Sequence, residues 1–340
     1  MSSFSHDDNL IKILNDISIQ INRYFSILIF VFGIPGNILN IFVFLHRSLR
    51  PNPCASLFLA SSIANIIGTV SGLTTRILSG WAADLTNTVG WLCKVRVFIL
   101  WITRAFFMWV IMLATVDRWL LSSCNVHYRQ ISTLKNARRG MFIILFVSML
   151  INIDLLYCYE ANLLETPLKC YSKTETCRLI TDLTFALIIY TLPLFFMIVF
   201  GLLTIRNVHQ ARHHRIHPIA VASLTISVEP ITRYNHYHST RMKMIGRRLR
   251  QMLLIQVTVL TILTLPVAIQ RLYSTLTLRE DKSPLKIAVE NLIFNLVILF
   301  NYASSGTPFY IFTLCGGSTF RNALSDLIRS IIRHLRHRDM

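Results

Sequence analysis

Cys93, Arg104, Asp117 and Arg118 are the residues of this chain whose types and spacing point to chemistry. Cys93 and Arg104 stand 11 residues apart, and Arg104 and Arg118 stand 14 apart. At about 100° per residue the three fall near one face of a helix. That face would carry a thiol able to form a cross-link at one end and a cation halfway along. At the other end it carries a carboxylate beside a guanidinium, in Asp117-Arg118-Trp119. A cation deep in an apolar helix can meet a carboxylate or an amide carbonyl, and the alternative for Arg104 is a structural pair with Asp154 or a buried asparagine. Catalysis is not expected, because no nucleophile–base set, metal triad or phosphate loop occurs. His127 has no partner pattern. His209, His213, His214 and His217 stand among arginines and read as a solvated basic loop, with a metal site the lesser alternative. No cofactor is expected.

These residues must be positioned by helices. Val97 to Val116 is a mostly apolar run of about 20 residues, enough to cross a bilayer. Charge facing hydrocarbon is costly, so this helix is expected at the centre of a bundle with its charged face inward. The 340 residues are 53% hydrophobic and 15% charged, with mean hydropathy +0.53. Soluble domains average about 25% charged, so a membrane protein is the first reading. The net charge of +18 does not point to nucleic acid, because it lies between apolar stretches without a recognition motif. Seven spans are expected, at about 24–45, 54–75, 97–121, 141–159, 183–205, 251–270 and 291–315. The fold class is therefore an all-α membrane protein, a seven-transmembrane helix bundle, since backbone groups in lipid must bond within their own segment. Pro193, Pro266 and Pro308 are expected to kink their helices rather than end them.

Charge orients the bundle. The segments 46–52, 120–140, 206–250 and 314–340 hold 20 Lys+Arg against 3 Asp+Glu, whereas 1–23, 76–96, 159–182 and 272–290 hold 11 of each. The positive-inside rule puts the first set in the cytoplasm and the N-terminus, 1–23, outside. That N-terminal stretch lacks a basic region followed by an apolar core, so no cleavable signal is expected. Residues 316–340 read as an amphipathic helix and short basic tail: Phe320, Leu324, Leu327, Ile328, Ile331, Ile332 and Leu335 form one stripe suited to the inner lipid surface. Trp81 and Trp91 suit an outer aromatic belt. Cys93 is expected to bridge to the loop after the fourth span, to Cys170, which is mid-loop, or to Cys177; Cys158 reads as a buried thiol. No Asn-x-Ser/Thr sequon occurs.

Taken together, residues 24–335 resemble a rhodopsin-like (class A) G-protein-coupled receptor. The marks are Gly36-Asn37 in the first span, Cys93 and Arg118 at 25 residues' separation, Asp117-Arg118-Trp119, prolines in spans five to seven, and the amphipathic helix after the last. The entry to span two, Pro53-Cys-Ala-Ser-Leu-Phe-Leu-Ala-Ser-Ser62, is similar to invertebrate orphan and FMRFamide-type peptide receptors. The chain departs from the family pattern where it has Asn65 for an aspartate, Leu263-Thr264-Leu265-Pro266 for Cys-Trp-x-Pro, and Thr307-Pro308-Phe309-Tyr310-Ile311 for Asn-Pro-x-x-Tyr.

The resemblance implies a plasma-membrane receptor that binds an extracellular ligand and activates a heterotrimeric G protein. Asp117, Arg118, Trp119, Asn65, Pro266 and Pro308 would belong to the switch. For Arg118 the alternative is snorkelling to lipid head groups. Arg104, Trp101, Arg271, Gln270, Asn295, Arg76 and Glu290 are the candidates for the ligand cavity. Leu100 stands where amine receptors carry an acid, and span seven has no lysine; a peptide is therefore favoured over a monoamine or retinal. Two other functions stay open: a small transporter or channel with Arg104 and Asp154 on its path, and a seven-helix protein that no longer signals.

Overall fold

Uninterrupted apolar runs become helices, and in the computed structural model almost everything else is short connection. It describes residues 2–340 except 48, 80, 82, 124, 164–168, 214–229, 278, 316–319, 323, 327–328 and 330–340, with side chains undescribed over 2–6, 211–213 and 230–247. The order is α1 (Ser2–Leu45), α2 (Pro53–Ser79), α3 (Gly90–Ser122), α4 (Val126–Ile131), α5 (Leu134–Ile151) and α6 (Leu155–Cys158). The strands β1 (Tyr159–Glu160) and β2 (Tyr171–Ser172) follow, then α7 (Glu175–Leu183) and a π-helical stretch, Thr184–Thr191. The helices α8 (Leu192–His213), α9 (Pro230–Leu276), α10 (Pro284–Gly306) and α11 (Pro308–Cys315) come next, and 320–322 and 324–326 are helical too. Among the described residues seven helices are long and apolar enough to cross a membrane: Asp7–Leu45, Pro53–Ser79, Gly90–Ser122, Leu134–Cys158, Glu175–Gln210, Arg248–Leu276 and Pro284–Gly306. The chain is a seven-helix, all-α, multi-pass membrane protein.

α3 is the hub. It packs on α2, α5 and α8 along its length and on the strands and short loop helices at its ends, while α1 lies between α2 and α10. α2 and α3 are the most enclosed of the seven, and the helix through α5 and α6 the least. Phe142, Ile143, Phe146, Leu150 and Ile153 of that helix point outward, an apolar face suited to lipid rather than water. α1 and α10 approach to backbone contact at Gly33 and Gly306. A Cβ on Gly306 would sit 3.2 Å from the Gly33 Cα, so the crossing depends on two residues without side chains.

Several boundaries differ from the sequence expectation, each with a local cause. α1 runs to Ser2, so the stretch expected as a separate tail is helical and continues the first span. The fourth helix starts at Leu134, capped by Thr133, whose Oγ1 accepts from the Asn136 N–H at 3.2 Å. It breaks at Asn152, whose Nδ2 donates to the Ser148 carbonyl at 2.8 Å and so competes with the helix ladder. Pro193 has no N–H for the Ile189 carbonyl, and the turns before it widen to π-helix; Trp109 of α3 donates to the Ile188 carbonyl at 3.2 Å. The seventh helix starts at Pro284, with Ser283 as its cap, rather than at 291. It is divided at Thr307 into α10 and α11, but Thr307 keeps right-handed helical backbone, its N–H on the Ala303 carbonyl and its carbonyl on the Ile311 N–H, each at 3.1 Å, so Pro308 interrupts the ladder without ending the helix. Thr307 Oγ1 takes the Ser304 carbonyl that Pro308 leaves free, at 3.0 Å. Pro266 lies inside an unbroken α9.

The C-terminal stripe is described in part. Phe320 is buried among Phe44, Phe309 and Phe312, and Leu324 packs on the core. Leu327, Ile328, Ile331, Ile332 and Leu335 lie outside the described residues, as do His214, His217 and the side chain of His213.

Candidate functional site

Two sites occupy opposite ends of α3. At the end where Cys93 lies, the helices enclose a cavity of ≈ 670 Å³. Its rim is fastened by two disulfides, Cys93–Cys170 and Cys158–Cys177. Cys158, expected as a thiol, is thus bridged, and Cys177 is spent on it. The first bond ties the β1–β2 ribbon to α3, and the second ties α6 to α7. The ribbon pairs only Tyr159 with Ser172 and Glu160 with Tyr171; two such pairs are too few to hold alone. Burial pushes the Tyr159 phenol well above its ordinary pKa, so it stays neutral.

Five arginines and one aspartate line the cavity. Arg104 enters from α3 and is 6% exposed. Its Nη1 donates to Ser305 Oγ at 2.6 Å and to the Asn301 carbonyl at 3.3 Å, and the guanidinium lies 5.3 Å from the Tyr302 ring centroid. Asp154, one of the alternative partners, belongs to the turn before α6 and forms no ion pair with Arg104 among the described residues; Arg104 instead joins α3 to α10. Tyr302 reaches this position because Gly72 of α2 has no side chain: a Cβ there would lie 2.0 Å from the Tyr302 hydroxyl. The network continues through Asn301, whose Oδ1 accepts from the Tyr190 hydroxyl at 3.0 Å.

Arg76, at the end of α2, donates through Nη1 to Asn22 Oδ1 and Asn295 Oδ1, each at 3.0 Å. Asn295 Nδ2 in turn donates to Ser18 Oγ at 2.7 Å. One guanidinium thus holds α1, α2 and α10 together. Arg96 reaches across from α3 to donate to Thr75 Oγ1, beside Arg76. Arg271 of α9 is paired with Asp182 at 2.8 Å, donates to the Tyr171 hydroxyl at 3.2 Å and lies between the Phe185 and Phe294 rings. Trp101 packs on Phe185 with centroids 4.8 Å apart.

Of the seven predicted cavity residues, Arg104, Trp101, Arg271, Asn295 and Arg76 line it. Gln270 and Glu290 do not. Glu290 is taken up by Lys282 at 2.6 Å and the Tyr273 hydroxyl at 3.0 Å, an ion pair at the α9–α10 connection; Gln270 is half-buried away from the cavity. Sequence reasoning missed Asn22, Arg23, Arg96 and Tyr302. Arg96 was findable: it stands one turn after Cys93, on the side already assigned inward. Trp81 lines the cavity with Arg23 over its ring at 4.8 Å; both Trp81 and Trp91 are exposed.

At the other end of α3, Arg118 is 3% exposed, so it does not snorkel outward. Its Nη2 and Nε contact Asp117 Oδ2, the latter at 3.1 Å, and Nη2 donates to Asn52 Oδ1 at 3.2 Å. The other Asp117 oxygen accepts from the Ser132 hydroxyl. The pair is therefore clasped by the α1–α2 and α4–α5 connections. Trp119 packs between Tyr128 of α4 and Phe200 of α8. Asn65 is buried on α2, its Nδ2 without a partner among the described groups. Gln256 on α9 is 2% exposed with neither amide atom partnered among them. Such atoms are costly in a packed interior and mark sites of water or rearrangement.

The structure thus has a cavity at one end of α3 and a buried ion pair at the other, with one helix running between. No protein-family model matches the chain, and no curated protein matches it either; the likeness to rhodopsin-like receptors rests on the residues quoted above.

Proposed function

We propose that this chain is a plasma-membrane receptor that binds an extracellular ligand, a short peptide by preference, and promotes nucleotide release from a heterotrimeric G protein. The observation that carries the reading is that α3 bears both the cavity residues Trp101 and Arg104 and the buried Asp117–Arg118 pair. A bundle with two packings is shifted by a ligand that prefers one of them. The cavity's cross-links run from α3 to α10 through Arg104 and from α2 to α1 and α10 through Arg76. A ligand competing for these bonds changes how α10 sits on α3. On α9, the buried Gln256 amide has no partner among the described groups, so the packed position of that helix is weakly held there. Movement of α9 would open the space beside Arg118 to the G protein. In this reading the Cys93 end is extracellular and the C-terminus cytoplasmic, which the positive-inside count supports.

The test is nucleotide exchange on a panel of G proteins, in membranes carrying the chain, with pooled peptides and small acids. Exchange that needs a pool and changes with Arg118→Ala supports the reading. No exchange with any pool, at verified surface expression, overturns it.

A further inference from the structure

We propose that the cavity recognises a carboxylate borne next to an aromatic or branched apolar group, and that Arg76 and Arg96 take the carboxylate. The inference rests on the receptor reading in treating the cavity as the ligand site.

The charge of the cavity carries it. Five arginines line it against Asp84 alone. Arg271 is already neutralised by Asp182, and Asp84 accepts from the Thr86 N–H and hydroxyl at 2.9 and 2.7 Å. The partners of Arg76 and Arg96 carry no formal negative charge: two asparagine oxygens and the Tyr302 hydroxyl for the first and the Thr75 hydroxyl for the second. Among the described residues no carboxylate forms an ion pair with either. The Nε of Arg96 is buried without a partner among them. Arg76 and Arg96 line the same cavity and are near enough for their charges to act on each other.

Two adjacent cations in a half-dry cavity repel each other and lack counter-charge. An anion bridging them removes both penalties, and the planar guanidinium fork matches the two oxygens of a carboxylate. A cleft of one sign also concentrates its counter-charge and turns away cations, which disfavours an amine or a basic peptide end. The wall beside these arginines is apolar and aromatic, formed by Val97, Trp101, Phe185 and Ile298. Its volume, ≈ 670 Å³, is in the usual range for small-ligand sites. The carboxylate can belong to the free end of a short peptide or to a small acid; the recognition is the same.

The test uses the full-length protein purified in detergent, with thermal unfolding read by tryptophan fluorescence. The probes are Ala-Ala-Ala-Phe with a free carboxyl end, the same peptide amidated, and 3-phenylpropionate. The free-acid peptide should stabilise the protein saturably and the amide should not. If phenylpropionate alone matches the peptide, the source is a small acid; if the peptide is the tighter, it is a peptide end. Arg76→Gln and Arg96→Gln should each weaken the free-acid probe by about tenfold or more. Lys286→Gln, a surface charge paired with Glu280, should leave it unchanged. Equal stabilisation by acid and amide, or none by either acid, overturns the inference on the unmodified protein, whether or not the arginine variants fold. Carboxylate binding without nucleotide exchange keeps this inference and removes the receptor reading. Exchange driven equally by amidated peptides does the reverse.

Discussion

Replacing Arg104 with methionine should leave the fold nearly as stable as before and remove the response to ligand. The guanidinium is almost fully buried, with Ser305 Oγ at 2.6 Å, the Asn301 carbonyl at 3.3 Å and the Tyr302 ring at 5.3 Å. A hydrogen bond from a charged group contributes about 1.5–3 kcal/mol, and a partly desolvated cation–π contact about 0.5–2 kcal/mol. The 3.3 Å bond is long and adds little. Against this stands the desolvation of a cation with no carboxylate partner, several kcal/mol after relaxation. The terms nearly cancel. Methionine keeps most of the stem's volume and loses both the gain and the cost, so its net effect should be within about 1.5 kcal/mol. Alanine also removes the stem and leaves a hole, and should cost about 2–5 kcal/mol. Thermal unfolding in detergent measures the first effect, and ligand-driven exchange the second. A methionine variant as unstable as the alanine one would refute the reasoning, because the cation would then be an indispensable tie. Unchanged ligand potency in a stable methionine variant would refute the placing of Arg104 in the ligand site.

Three further outcomes follow from particular contacts. Gly306→Leu places a side chain against the Gly33 backbone, where even a Cβ would be 3.2 Å away; it should destabilise by about 1–3 kcal/mol or more, seen as loss of surface expression and of the thermal transition. Gln256→Leu removes from the interior two amide atoms that have no partner among the described groups and should stabilise the unliganded protein by about 1–3 kcal/mol, while lowering ligand-driven exchange; a lower melting temperature would show that the amide is already satisfied. Removing the Cys158–Cys177 bond, with both changed to alanine, opens a link between residues 19 apart and should cost about 3 kcal/mol by loop entropy, read as a lower melting temperature that reducing agent no longer shifts in that region.

The seven helices were legible because bilayer thickness imposes a run of apolar residues that little else in a chain imitates. The Asp117–Arg118 contact was legible because the two are neighbours at a helix end. What sequence did not carry was reach. Glu290 and Asn295 lie on one helix, yet Lys282 draws the first into a loop ion pair while Arg76 holds the second in the cavity. Arg104 bonds α10 at Ser305 and Asn301, while Asp154 lies in the turn before α6. What the sequence did not show at Pro308 was that the Thr307 hydroxyl takes up the Ser304 carbonyl that the proline frees. The role of Gly72 was invisible because it depends on where Tyr302, 230 positions later, comes to rest.

The central claim is that the cavity and the Arg118 end of α3 are coupled. Coupling free energy is reciprocal, so a G protein held at one end must change ligand affinity at the other. The direct measurement is the affinity of the exchange-promoting ligand with and without nucleotide-free G protein, in the native chain and in Arg118→Ala. The account predicts tighter binding in the G protein's presence, by about 5- to 150-fold, with the gain lost in Arg118→Ala. Equal affinity in both conditions, with the G protein shown to be bound, would contradict it.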